Sequence, residues 1–225
     1  MVSNPPISIT LGTRHDYLAL QRFHYVANAP ATIAHVLRAT DGPHLIGVLV
    51  ISMPTLNAWW RAQAWPGWLP PDLDARTRAH TINAGLRTIS RVIVDPRWRA
   101  MGIATALVRH YLTHPLTPRT EAVASMAAIC PIFERAGMRV IEQAPPATTR
   151  NLLARLRCAR IRPWELMDQS RVVRAAAHTQ LEDGLRKWAD RGSATRKWRR
   201  APLAELAARA GWTAMAQPVA CVHGG

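Results

Sequence analysis

The sequence predicts an α/β fold, a mixed sheet flanked by helices with a basic helical C-terminal insertion or extension. Three observations predict it. Short apolar runs of strand length alternate with segments of helical spacing from Ile7 to Glu142. The stretch Ala144-Pro145-Pro146-Ala147-Thr148-Thr149 then breaks the pattern, because it continues neither a helix nor a central strand. Beyond the break the spacing is helical and the charge is dense. Residues 1–145 hold 14 Arg against 8 acidic residues, net +6, whereas residues 146–225 hold 13 Arg and 2 Lys against 6, net +9. The expected organisation is a core over 1–145, a basic helical region over 146–213, and a terminal strand over 214–225 that returns to the core sheet.

The elements follow in order. Ile7–Leu11 is strand-like, and His15–Phe23 places Tyr17, Leu18, Leu20 and Gln21 at helical spacing. Ile33–Arg38 and Leu45–Ser52 are apolar runs joined by the turn Asp41-Gly42-Pro43, which predicts a hairpin. From Pro54 to Ala84 no period emerges, and Trp59, Trp60, Trp65 and Trp68 stand in what is expected to be a long irregular loop or lid. Thr88–Val94 is a buried strand ended by Asp95-Pro96, followed by a helix over Gly102–Leu112. Thr120–Ser125, Ile129–Ala136 and Met138–Glu142 continue as strand, short helix and strand. Past the break, helices are expected over Leu152–Cys158, Gln169–Ala189 and Leu203–Ala210, with an extended end over Ala214–Val222.

Composition narrows the function classes. With 225 residues, 48% hydrophobic and 19% charged, the chain is long enough to bury a core without disulfide or metal staples. The net charge is +15, and 27 of the 29 cations are Arg. Codon bias explains a choice of Arg over Lys but not an excess of cations, so a polyanionic partner is expected, nucleic acid before others and no membrane. Cys130, Cys158 and Cys221 have neither disulfide-framework nor zinc-ligand spacing, and His15, His35, His44, His80 and His110 show no metal-site spacing, so no metal is expected. No signal segment precedes the first strand, and the longest apolar run, Leu45–Ile51, is too short for a bilayer, so a cytoplasmic protein is expected.

The most specific segment runs Arg91-Val-Ile-Val-Asp-Pro-Arg-Trp-Arg99-Ala-Met-Gly102-Ile-Ala104-Thr105. It is a buried strand, a tight exit, and R-x-x-G-x-A opening a helix. Free backbone N–H groups and the positive end of the helix favour a pyrophosphate there, Gly102 and Ala104 leave room for it, and Arg97 and Arg99 add charge. The spacing is neither a Walker loop nor GxGxxG.

This segment resembles motif A of the GNAT acyltransferases, and Ile132-Phe-Glu-Arg-Ala-Gly-Met138 resembles the later helix and strand of that family. Phe23-His24-Tyr25 with Pro30, Gly47–Pro54 and Arg87–Arg91 are similar to the GNAT modules associated with ABC-type ATPases and, more distantly, to phage Mom-like DNA-modification proteins. The resemblance implies a mostly antiparallel mixed sheet and an enzyme that uses acetyl-CoA or another acyl-CoA. It implies a cofactor held along Val92, Ile93 and Val94 and by Arg97, Arg99, Met101, Gly102, Ile103, Ala104 and Thr105. It also implies acceptor chemistry on a nucleic acid base, DNA ahead of RNA, with a protein or small-molecule amine, or a non-catalytic nucleic-acid-binding module, as alternatives.

One departure stands out. Where many GNAT enzymes carry a Tyr that protonates the departing thiolate, this chain has Phe133. Cys130, three residues earlier, is a substitute if both lie on one helix, or else a small packed residue. No Asp or Glu sits at the end of the 45–52 strand or within 86–92, so His24 and Tyr25 are the base candidates, or a packed pair at a helix end. Arg91 is placed to position an anionic acceptor, or to pair on the sheet face. In the basic region, Arg186, Lys187, Arg196, Lys197, Arg199 and Arg200 interleave with Trp188 and Trp198, a mixture suited to phosphate contact and base stacking, or to a solvated helix face.

Overall fold

The computed structural model describes residues 7–24, 29–125, 130–141, 147–191, 195–215 and 219–225. The chain divides into two compact units, Met1–Gln143 with Pro218–Gly225, and Ala144–Gln217.

The first unit holds β1 (Ser8–Leu11), α1 (Arg14–Leu20), β2 (His35–Asp41), β3 (His44–Ser52), α2 (Trp60–Ala64), α3 (Ala75–Gly85), β4 (Leu86–Val94), α4 (Ile103–Thr113), β5 (Arg119–Ala124), α5 (Ile132–Arg135), β6 (Arg139–Ile141) and β7 (Val219–Gly224). The strands form one sheet in the order β1-β2-β3-β4-β5-β7-β6. Every pairing is antiparallel except β4 with β5. It is the mixed, mostly antiparallel sheet that the sequence resemblance implies. β7 lies between β5 and β6, pairing Arg119–Ala124 on one side and Arg139–Ile141 on the other.

Each face of the sheet has its own core. On one face α4 buries Ile103, Leu107, Val108 and Tyr111 against Leu49, Ile51 and Ile89. The approach is close, because a Cβ on Gly47 would stand 3.2 Å from both Ile103 and Leu107 side chains. On the other face α1 sets Tyr17 and Leu20 on Val48, Val50 and Ile93. Thr13 and Asp16 start α1 with a reciprocal capping box, the Asp16 carboxylate accepting the Thr13 N–H at 2.7 Å.

Residues 54–84 depart from the expected irregular loop by folding α2 and α3. The reason is that these helices are held by polar groups and aromatics rather than by an apolar stripe. Asp74 caps α3 by accepting the N–H groups of Arg76 and Thr77, and Ile82 is the buried apolar side chain of that helix. α2 turns Arg61 inward, with Trp60, Trp65 and Trp68 packed around Leu86, Ile141 and Val222.

The second unit holds α6 (Ala147–Cys158), α7 (Gln169–His178), α8 (Leu181–Arg191) and α9 (Leu203–Met215) around Leu152, Leu156, Leu185, Trp188, Leu206 and Ala210. The helix expected over 169–189 is two helices. Thr179 takes an extended conformation (φ −142°, ψ 166°), and its hydroxyl accepts the Leu181 N–H at 3.3 Å to start α8. α9 runs past Gly211 instead of ending there. That glycine is a packing position, since a Cβ on it would lie 2.6 Å from the carbonyl oxygen of Pro163. The extended end accordingly begins at Val219 rather than at Ala214.

Candidate active site in the first unit and cationic turn in the second

β4 follows β3 as far as Val94, but it pairs with β5 only from Leu86 to Ile89. Beyond Ile89 the two parallel strands part. An extra residue, Ser90, bulges where Val50 faces Arg91 and Ile51 faces Ile89. The parting opens a cavity of about 120 Å³, and His24, Ser90, Arg91, Cys130 and Phe133 are among the side chains lining it. Three of the four expected catalytic residues, His24, Arg91 and Cys130, thus meet at one place, while Tyr25 lies outside the described residues. Arg91 donates from its guanidinium to the Ser90 carbonyl at 2.7 Å.

Cys130 and Phe133 share the cavity wall but not a helix. α5 starts at Ile132 after Pro131, so the expected spacing on one helical face gives way to a cysteine on the segment before the helix. Cys130 is exposed and Phe133 is buried. Cys221 is a different case: burial, with a smaller contribution from Glu134, pushes its thiol up to about 11, so it is inert at neutral pH.

The exit from β4 is built around Asp95. Its carboxylate, 5% exposed, accepts the Arg97 N–H at 3.0 Å and two guanidinium bonds from Arg97 at 3.0 and 2.9 Å. These hydrogen bonds, side chain first and backbone second, hold Asp95 down at about 2. Arg97, expected as a phosphate ligand, therefore already has a carboxylate on one side of its fork, and its side chain is otherwise 82% exposed. Arg99 also has a second task. It donates to the carbonyls of Val94 at 3.3 Å and Phe23 at 3.2 Å, tying the residue before His24 to the end of β4.

The chain then turns through two left-handed residues, Ala100 (φ 64°) and Gly102 (φ 79°), with Met101 exposed between them. Gly102 is the N-cap of α4, and no side chain caps the helix. The first bond of the helix runs from the Ala106 N–H to the Gly102 carbonyl at 2.9 Å, so Ile103, Ala104 and Thr105 precede the backbone ladder. A Cβ on Gly102 would meet nothing within 4 Å. An uncapped helix start facing open space leaves N–H donors and a partial positive charge available to an anion. Ile103 is buried under the sheet and anchors the turn, while the side chains of Val92 and Val94 pack on the α4 face and Ile93 on the α1 face.

Two polar groupings near β4 escape sequence reasoning. The Ser52 hydroxyl donates to the Thr32 carbonyl at 2.6 Å and lies 2.6 Å from the Ser90 hydroxyl. The Ser90 hydroxyl also donates toward the Val50 carbonyl at 3.2 Å, so its one proton has two acceptors, Ser52 and Val50, and the hydroxyl pair borders the cavity through Ser90. Glu121 on β5 is the buried carboxylate beside β4. Arg61 grips it at 2.6 and 2.9 Å, and Thr88 and Trp60 donate to it at 3.0 and 3.3 Å. Its acceptor positions are filled, so it is a structural group and not a base. The signal was out of reach because its partner is 60 residues away in sequence.

In the second unit the expected nucleic-acid residues separate into two sets. Arg186 bonds Glu182 at 2.8 Å and the carbonyls of Arg199 and Ala201 at 2.8 and 3.3 Å, and Lys187 pairs with Asp183 at 2.8 Å. Arg196, Lys197, Arg199 and Arg200 instead line one surface cavity of about 380 Å³. Among the described residues no group of three or more His, Cys, Asp or Glu is arranged to hold a metal ion, and no helix is long and apolar enough to cross a membrane.

No family model matches the chain, and no curated protein matches its sequence. Solved structures similar to parts of it include Ard1 from Thermoplasma volcanium, at 12% identity over 60% of this chain and 84% of that one, TM-score 0.38. The histone acetyltransferase HPA2 and related acetyltransferase from Corynebacterium glutamicum ATCC 13032 aligns at 13% identity over 62% and 88%, TM-score 0.40. SsHAT aligns at 15% identity over 63% and 95%, TM-score 0.38.

Proposed function

We propose that this chain is an acyl-CoA-dependent N-acyltransferase of the GNAT type, working in the cleft between β4 and β5, with an amine of a nucleic acid base as acceptor. The observation that carries the reading is the combination of parted parallel strands with an uncapped, left-handed Gly102 opening α4 directly after β4. Acetyl-CoA or another acyl-CoA, when bound, supplies an acyl group already activated as a thioester.

The chain's own residues divide the remaining work. The N–H groups of Ile103, Ala104 and Thr105 are placed for the pyrophosphate. The backbone of β4 beyond Ile89 has no partner strand on the β5 side. Since the Asp95 N–H bonds Ile46 on β3, the alternation of the strand turns the Ile93 N–H to β3 as well and leaves the main-chain donors of Val92 and Val94 to orient the acyl carbonyl. His24 takes the proton that the amine gives up, and the Ser90 hydroxyl, lining the same cavity, hydrogen-bonds the attacking nitrogen and aims it. Arg91 holds an anionic part of the acceptor. Phe133 has no proton to give, so the departing thiolate is protonated by Cys130 or by water.

The nucleic-acid acceptor is supported by the +15 charge, which draws polyphosphate and repels polyamines. A protein or small-molecule amine fits the cleft chemistry equally and is the alternative. The test is mass analysis of nucleosides from DNA and RNA of cells expressing the chain, against a Gly102→Glu control. A new nucleoside mass that vanishes in the control is the expected result. Acyl transfer to protein or small amines with no altered nucleoside overturns the nucleic-acid acceptor.

A further inference from the structure

We propose that the Arg196–Arg200 turn of the second unit is a nucleic-acid anchor that grips consecutive phosphates without reading sequence. The inference extends, and for its purpose rests on, the nucleic-acid reading of the acceptor, but it is tested by binding alone.

Four cations within five residues line the cavity of about 380 Å³. Little in the protein neutralises them. Arg200 has no hydrogen bond or ion pair among the described residues, and Lys197 has only the ring of Trp198, 4.7 Å away. Arg196 donates to the main-chain carbonyl of Asp190 at 3.4 Å, which removes no charge. Arg199 reaches the Asp190 carboxylate only at 4.0 Å, with both side chains about half exposed. The turn itself is held firmly. The Trp198 and Arg199 N–H groups close a helical turn on Thr195 and Arg196, and the Arg186 guanidinium grips the carbonyls of Arg199 and Ala201 from α8. Arg186 is thus the strut of the turn, and the four cations are its surface.

The chemistry selects the partner. One phosphate is saturated by one or two guanidinium groups, so four cations on one short turn, with a single long ion pair among them, call for a repeating polyanion. The half-buried Trp198 packs on the core of the unit and carries Lys197 and Arg209 over its ring at 4.7 and 5.5 Å, which fixes Lys197 at the surface without neutralising it. Arg and Lys can donate to guanine as well as to phosphate, but the turn has no Asn, Gln, Asp or Glu with which to read the other bases, so phosphate contact dominates.

The experiment uses the full chain and a fluorescein-labelled single-stranded DNA of about 20 nucleotides, read by anisotropy over a series of NaCl concentrations. The Arg196→Ala, Lys197→Ala, Arg199→Ala, Arg200→Ala quadruple variant is expected to lower the slope of log affinity against log salt by about 3, at about 0.7 per phosphate contact. A variant lacking Arg171 and Lys187 (both to Ala), which are already held in ion pairs, is expected to shift it by less than about 1. If the quadruple variant loses its fold by circular dichroism, Arg200→Glu alone is expected to weaken binding measurably. An unchanged slope in the quadruple variant, or an unchanged affinity in Arg200→Glu, overturns the anchor. So does binding to phosphatidylserine vesicles without binding to DNA, or competition by polyglutamate as effective as that by unlabelled DNA. Acetyl-CoA affinity of the quadruple variant, expected to match the wild type, separates loss of the anchor from loss of the cofactor site.

Discussion

The guanidinium of Arg99 donates to the main-chain carbonyl of Phe23 at 3.2 Å, and so the turn that precedes α4 fixes the segment carrying His24. One side chain links the proposed cofactor end of the site to the candidate base. Arg99→Lys keeps the charge but loses the fork that reaches both the Phe23 and Val94 carbonyls. Arg99→Lys is therefore expected to slow CoA release in the presence of DNA by about 10- to 100-fold with acetyl-CoA affinity changed much less, whereas Arg99→Ala loses the charge as well and weakens both. Wild-type turnover in Arg99→Lys would show that only the charge matters.

The Arg61–Glu121 pair supports a prediction about stability. Both side chains are at most 2% exposed and bonded bidentately, so removing one partner strands a buried charge. Arg61→Ala is expected to cost about 3–5 kcal/mol, measured as a shift in the urea midpoint. A loss below about 1 kcal/mol would mean that water reaches Glu121.

Asp95 makes the exit from β4 sensitive to acid. Its folded value near 2 lies below the ordinary 3.8, so its contribution is complete above about pH 4 and disappears as pH falls through 2. The urea midpoint of the wild type should exceed that of Asp95→Asn at about pH 5, with the gap shrinking steadily as pH falls from about 4 through about 2. A gap independent of pH contradicts this.

Gly211 is expected to tolerate no side chain. A Cβ would stand 2.6 Å from the Pro163 carbonyl and 3.0 Å from Leu166, neither of which moves freely, so Gly211→Ala should destabilise the second unit by about 1–3 kcal/mol. Thermal melting followed at 222 nm or thereabouts reads this directly, and an unchanged melt would mean that α9 sits farther from that carbonyl.

What was legible in the sequence was what local chemistry controls. The β2–β3 hairpin, β4 with its Asp95-Pro96 stop, and α4 opening at Gly102 all announce themselves through apolar runs and turn residues. α2 and α3 did not, because Arg61, Asp74 and tryptophans hold them in place of a periodic apolar stripe. Gly211 reads as a helix end because a glycine required by close packing looks the same as one required by a left-handed cap. At the site, His24, Arg91 and Cys130 stand out singly in the sequence while their shared cavity does not, and the Ser52–Ser90 hydroxyl pair and the tether role of Arg99 likewise depend on contacts 38 and 76 residues apart.

The most direct measurement is calorimetric titration of acetyl-CoA into the wild type, Gly102→Ala and Gly102→Glu. Gly102→Ala adds the strain of a left-handed alanine but blocks nothing within 4 Å, whereas Gly102→Glu sets a carboxylate against the pyrophosphate. The expected result is binding by the wild type, modest weakening in Gly102→Ala, and a loss of about 100-fold or more in Gly102→Glu. Equal affinity in all three proteins would contradict a cofactor site at the start of α4.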